Sequence, residues 1–143
     1  MAVTKAPVLN YFSPQAQTEG QGDASQNGLG LVLLQEGQPV TYASRALTPA
    51  EQRYSQIEKE LLAQVFGLEH NHHYTFGRRV ILWNDHKPLV SIYKKPLALA
   101  PKRLQRLLLR LQQYDADLRY KPGSEMYLAD TLSRAFLKST IQS

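Results

Sequence analysis

A chain of 143 residues, 43% of them apolar, can build one domain with a substantial core, is too short for two ordinary domains, and is too apolar for a disordered segment. The lack of cysteine excludes disulfide and thiolate chemistry, and the longest apolar run falls far short of the roughly 20 residues that cross a bilayer. With no signal-peptide stretch at the N-terminus, the expectation is a soluble cytoplasmic domain; the net charge of +5 points toward a polyanionic partner.

In chain order, residues 1–14 carry Pro7 and Pro14 around Val8, Leu9, Tyr11 and Phe12 and read as a lead-in packed on the domain edge, in a chain that looks cut from something longer. Residues 15–22 are polar, contain Gly20 and Gly22, and read as loop. Asn27-Gly28 predicts a hairpin, Leu31 to Gln35 a buried strand, Glu36-Gly37-Gln38 a second tight turn and Val40 to Ser44 another strand. Thr48-Pro49-Ala50-Glu51 has the N-cap, the first-position proline and the acid of a helix start. That helix is predicted to run to His70 or His73, with Tyr54, Ile57, Leu61, Val65 and Leu68 as its core stripe. Glu58 and Glu60 flank the stripe on opposite edges. The edge of Glu60 continues through Ala63, Gln64 and Gly67, small or polar groups that admit another backbone and leave a carboxylate facing a cleft.

Val80 to Trp83 predicts a central strand covered on both faces, with Asp85 where it ends. Lys87-Pro88 opens a short helix to about Tyr93. Pro101 starts another, apolar at Leu104, Leu107, Leu108 and Leu111. Leu118 to Tyr120 reads as a last strand, Met126 to Leu137 as a closing helix and residues 138–143 as a tail. The order β-β-β-α-β-α-α-β-α predicts a mixed α/β domain.

Four acids occupy informative places: Asp23 beside a hairpin, Glu60 on a helix edge, Asp85 at a strand end and Asp130 early in the last helix. Adjacent strands can bring Asp23 and Asp85 together, with helices delivering the other two. Clustered carboxylates repel one another unless a cation holds them, and oxygen ligands without cysteine suit magnesium or manganese. Two such ions about 3.5–4 Å apart are the usual device for in-line attack on a phosphodiester. Each acid also has a plainer role open to it: Asp23 as turn former, Asp85 as cap of the next helix, Glu58 and Glu60 as flank charges, Asp130 as a first-turn acid.

Five motifs in order narrow these alternatives. Asp23-Ala24-Ser25 with Gly28-Leu29-Gly30, Tyr42-Ala43-Ser44-Arg45-Ala46-Leu47-Thr48, Glu58-Lys59-Glu60-Leu61-Leu62-Ala63, Asp85-His86-Lys87-Pro88-Leu89 and Ala129-Asp130-Thr131-Leu132-Ser133-Arg134 together resemble the ribonuclease H domain of gypsy-type LTR retrotransposon reverse transcriptases. The resemblance covers about Pro7 to Ala135. It implies a ribonuclease H-like α/β fold over residues 15–137, with a five-stranded mixed sheet, three antiparallel strands then two parallel additions, and helices on both faces. The lead-in would come from the polymerase side of the same polyprotein.

The implied activity is Mg2+-dependent cleavage of the RNA strand of RNA–DNA hybrids during reverse transcription, with Mn2+ able to substitute and no small-molecule cofactor or membrane involved. The resemblance assigns Asp23, Glu60, Asp85 and Asp130 as catalytic, metal-binding carboxylates; the glutamate followed by Leu-x-Ala is Glu60, which sets Glu58 aside. Where relatives carry a mobile histidine, this chain has Tyr120, so no general-base histidine is assigned.

The expected nucleic-acid contacts are Ser25 and Asn27 beside Asp23 and the basic set Lys94, Lys95, Lys102, Arg103, Arg106 and Arg110. His70, His72 and His73 read as helix-end residues rather than zinc ligands. The chain departs from the family pattern before Asp23, where Thr18, Glu19, Gly20 and Gly22 replace alternating apolar residues, which implies a strand that holds Asp23 less firmly. A catalytically silent module that binds nucleic acid or packs against a polymerase is the alternative, as is a host protein descended from a transposon.

Overall fold

The computed structural model describes residues 9–97 and 100–126. Three strands, β1 (Thr18–Ala24), β2 (Gly28–Gln35) and β3 (Gln38–Ala46), are followed by helices α1 (Pro49–Gln52), α2 (Gln56–His70) and α3 (His72–Thr75). Then come β4 (Arg79–Asn84), helices α4 (Lys87–Tyr93) and α5 (Lys102–Leu111), and β5 (Asp115–Tyr120). The strands form one sheet in the order β3-β2-β1-β4-β5. β1, β2 and β3 pair antiparallel, while β4 lies parallel to both β1 and β5, which is the expected mixed sheet. The closing helix expected from Met126 to Leu137 falls, beyond Met126, outside the described residues, and so does the tail.

Residues 15–22 are a correction to the sequence reading. Thr18 to Gly22 are not loop but most of β1, the central strand. Its backbone is paired on both sides, with β2 from Thr18 opposite Gln35 to Ala24 opposite Leu29, and with β4 from Thr18 beside Val80 to Gln21 beside Trp83. Two-sided pairing satisfies the backbone groups that a polar stretch would otherwise leave to water, and it outweighs a weak strand propensity. Two of the polar side chains are engaged as well: Thr18 Oγ1 accepts from Gln35 Nε2 at 3.1 Å and Glu19 Oε1 accepts from Trp83 Nε1 at 2.8 Å. The glycines mark close approach, since a Cβ on Gly20 would stand 2.7 Å from Leu82 Cδ2 and one on Gly22 2.5 Å from Gln64 Nε2. The packing that glycine forfeits is supplied by those neighbours.

The first hairpin exists, but its turn is Ser25 to Asn27, closed by Ser25 N–H donating to Gly28 O at 2.8 Å, with Gly28 already the first residue of β2. The second is a two-residue turn at Glu36 and Gly37, both at positive φ (53° and 75°), the backbone form that joins twisted antiparallel strands directly.

The single helix expected from Thr48 is split. Thr48 and Glu51 form one capping box and Ser55 and Glu58 a second, so the chain restarts at Gln56. Glu58 is thereby occupied as a cap, its carboxylate accepting from Ser55 N–H at 2.8 Å. From α2, Leu61, Val65 and Leu68 enter one core with Leu31, Leu33, Val80 and Leu82 of the sheet, Leu89 of α4, and Leu104, Leu107, Leu108 and Leu111 of α5. Val32 and Leu34 point to the opposite face with Tyr42.

Helix α2 sits close to the sheet because Gly67 offers no side chain where Leu31 rises to meet it. Gly67→Ala is expected to push α2 off β2 and to destabilise the domain by about 1–3 kcal/mol, despite the gain in helix propensity. Thermal denaturation checks this: an unchanged or raised Tm would show that α2 can move away without cost.

Candidate metal centre

Because β1 and β4 are parallel neighbours, their C-terminal ends lie side by side. Asp23, next to last in β1, and Asp85, the residue after β4, therefore emerge together. Helix α2 runs along β1 and β2 and brings Glu60 to the same place. One carboxylate oxygen from each of Asp23, Glu60 and Asp85 can be chosen so that all lie within 4.8 Å of one another. Asp85 is exposed, Asp23 half-buried and Glu60 only 3% exposed. Asp130 lies outside the described residues.

Glu60 is held at both oxygens. Gln56, one turn earlier on α2, donates Nε2–H to Oε1 at 2.8 Å, and the fully buried Asn84 donates Nδ2–H to Oε2 at 3.3 Å. Asn84 also accepts His86 N–H on its Oδ1 at 2.7 Å, so one side chain links the glutamate to the turn that carries Asp85. The chain after β5 closes over the other side, where a Cβ on Gly123 would stand 2.8 Å from Asp85 Oδ2. Sequence reasoning missed Gln56 and Asn84. The available signals were an amide one turn before Glu60 and a polar residue at the end of an apolar strand.

Burial, then the charge of Asp23 and, less strongly, that of Asp85, push the Glu60 carboxyl up to about 8; the two amide donors oppose the shift without cancelling it. Three carboxylates with one buried make a site short of positive charge. The donors are all hard oxygens, which fits a divalent cation of the magnesium type, and such a cation would relieve the repulsion that raises Glu60.

The expected nucleic-acid contacts separate into groups. Ser25 and Asn27 are exposed in the turn beside Asp23, although the Ser25 hydroxyl also accepts Gly28 N–H at 3.1 Å. Arg103 pairs with Glu58 at 3.4 Å and covers the Tyr54 ring at 4.2 Å, and Arg110 Nε–H donates to Glu69 Oε2 at 3.0 Å, so both are spent in part on joining α5 to α2. Lys94, Lys95, Lys102 and Arg106 are exposed and make no ion pair among the described residues. His72 shares a hydrogen bond of 2.8 Å with the Tyr114 hydroxyl, and no histidine joins a metal-like cluster among the described residues.

A family model described as the RNase H-like domain found in reverse transcriptase matches residues 13–114. The chain belongs to that family. The matched span holds Asp23, Glu60 and Asp85 and stops before Asp130. Among curated relatives, the retrovirus-related Pol polyproteins of transposons 297 and gypsy from Drosophila melanogaster are 42% and 39% identical over 134 and 133 residues, 92% of this chain in each case. The chain spans 12% and 13% of their lengths, and these relatives place it with RNase H domains of gypsy-type retrotransposons.

The fold is shared with the N-terminal RNase H domain of a Mycobacterium tuberculosis protein, with a TM-score of 0.66 at 15% identity over 90% of this chain and 98% of that one. It is shared also with a foamy viral protease–reverse transcriptase in complex with an RNA/DNA hybrid, with a TM-score of 0.66 at 18% identity over 80% of this chain and 16% of that one.

The raised Glu60 carboxyl gives the RNase H domain a signed pH dependence. Between about 4.5 and 8 the folded chain keeps a proton that the unfolded chain has lost, so this contribution to metal-free stability is full below about 4.5 and declines as pH rises through 8. Glu60→Gln mimics the protonated side chain. Without metal it should melt with wild type at about pH 4 and above it at pH 8 by roughly 10 °C, a difference of several kcal/mol for a carboxyl moved from 4.5 to about 8. Melting curves that differ equally at both pH values would contradict a raised Glu60.

Proposed function

We propose that this RNase H domain hydrolyses the RNA strand of RNA–DNA hybrids in the course of reverse transcription. The observation that carries the reading is the convergence of Asp23, Glu60 and Asp85 at the C-terminal ends of β1 and β4, within a family whose members are found in reverse transcriptases. Asp130 is proposed as the fourth carboxylate. Mg2+, for which Mn2+ could substitute, would supply the stabilisation of charge on the attacking and leaving oxygens of an in-line displacement at phosphorus.

The chain's own groups do the rest. The three carboxylates would hold the ions, and Glu60 would release its proton in doing so. Gln56 and Asn84, each donating to one of its oxygens, hold the carboxylate in orientation while it is charged. Lys94, Lys95, Lys102 and Arg106, with Ser25 and Asn27, offer the hybrid's backbone contacts that read charge and groove shape rather than base sequence. The P–O3′ bond breaks as water adds to phosphorus, leaving a 3′-hydroxyl and a 5′-phosphate, with protons exchanged with solvent. The polymerase part of the polyprotein would share in gripping the substrate. The silent-module alternative leans on the loop-like look of residues 15–22, of which Thr18 to Gly22 form most of the central strand.

A hybrid-cleavage assay with Mg2+, on the domain alone and on the domain joined to its polymerase, tests the proposal. Asp85→Asn should lower the rate by about a thousandfold or more with little change in Tm. Glu58→Gln, at the capping position, should cost stability but leave cleavage of the folded fraction intact. Wild type without cleavage in either form would overturn the enzyme reading, and equal rate loss in Glu58→Gln and Glu60→Gln would overturn the choice of glutamate.

A further inference from the structure

Helix α2 meets β1 at successive turns. At one, Gln56 Nε2 reaches Ala24 O at 3.5 Å and Glu60 faces Asp23. At the next, Gln64 lies against Gly22, the residue before Asp23. A Cβ there would stand 2.5 Å from Gln64 Nε2 and 2.9 Å from both its Cδ and its Oε1. The amide therefore lies flat over the strand, in the volume that any other residue at position 22 would claim. Gln64 is 0% exposed, so its end has no solvent to swing into. Neither of its amide atoms finds a hydrogen-bond partner among the described residues. The residue is thus not explained by its polar contacts, and what it contributes at this position is bulk. Gly67 and Leu31 fix the approach of the helix further along, and the Gly22–Gln64 contact lies between them and the carboxylates, one residue from Asp23 in β1 and one turn from Glu60 in α2.

We propose that Gly22 and Gln64 are a size-matched pair that sets the gap between β1 and α2, and with it the separation of the Asp23 and Glu60 carboxylates. Gln64 is then a positioning residue for the cation site. The inference rests on the metal-site reading above and names the device that tunes it. A side chain at position 22 pushes α2, and so Glu60, outward; shortening residue 64 makes room again. The coupling should be visible as non-additivity, since the two residues share one volume.

The test titrates Mn2+ into the whole chain by calorimetry and pairs it with metal-free crystal structures of the same proteins. Gly22→Ala should weaken Mn2+ binding about tenfold or more, the scale of losses seen when groups behind metal ligands are disturbed, and should widen the Asp23–Glu60 separation. Adding Gln64→Ala to Gly22→Ala should bring the affinity back to within about threefold of wild type. Gln64→Met, similar in length but without the amide, should keep the wild-type midpoint and raise the metal-free Tm.

Wild-type affinity in Gly22→Ala, a double variant as weak as the single, or a folded Gln64→Met as weak as Gly22→Ala would each overturn the pairing. Should Gly22→Ala fail to fold, Gln64→Ala alone decides: weakened binding supports the spacer, and unaltered binding overturns it. A wild-type chain that takes up no Mn2+ would defeat the metal-site reading itself. The spacing claim would then stand or fall on whether the two carboxylates move apart in the Gly22→Ala crystal.

Discussion

The structure turns on a buried carboxylate that cannot comfortably be charged. Glu60 lies in the core side of α2 with Asp23 and Asp85 within a few ångströms, and neither burial nor like charge favours an anion there. A chain selected for stability alone would place an apolar residue or a neutral amide at this position. The glutamate is retained together with two donors, Gln56 and Asn84, aimed at its two oxygens, which is an arrangement for holding an anion in a set orientation rather than for avoiding one. A divalent cation shared among the three would relieve the repulsion, so the same feature that costs the metal-free chain stability would favour binding one.

That arrangement needs a sheet that brings distant parts of the chain to one end. Parallel pairing of β1 with β4 aligns two strand ends, and α2 supplies the third carboxylate from above the sheet. The basic residues divide according to the same geometry. Arg103 and Arg110 lock α5 against acids of α2, while Lys94, Lys95, Lys102 and Arg106 remain turned outward. A net charge of +5 is thus partly structural and partly available to a polyanion.

Much of this was legible in the sequence where a single element carries its own signal. The leucine stripe of α5, the apolar run of β4 and the proline starts of α1 and α4 each reflect a local period or a local backbone restriction. The resemblance singled out Glu60 from Glu58, and the second capping box, Ser55 with Glu58, gives the physical ground: Glu58 is already committed to its own helix start. What stayed hidden depends on partners far away in sequence. β1 looks like loop because its stability comes from β2 and β4 on either side, and its glycines look like defects until Leu82 and Gln64 fill the space above them. Asn84 and Gln56 carried only the faint marks of their positions, because an amide acquires its role from the atom it faces. The basic patch was read as uniform because ion pairs between α2 and α5 join residues more than forty apart.

The central claim is that Asp23, Glu60 and Asp85 are one cation site. Anomalous diffraction from crystals soaked in Mn2+ tests it most directly. The account predicts a peak bonded to carboxylate oxygens of all three residues, at roughly the 2.1 Å of small divalent ions. Well-ordered crystals with the three carboxylates together and no peak among them at saturating Mn2+, or a peak held by other residues, would contradict it.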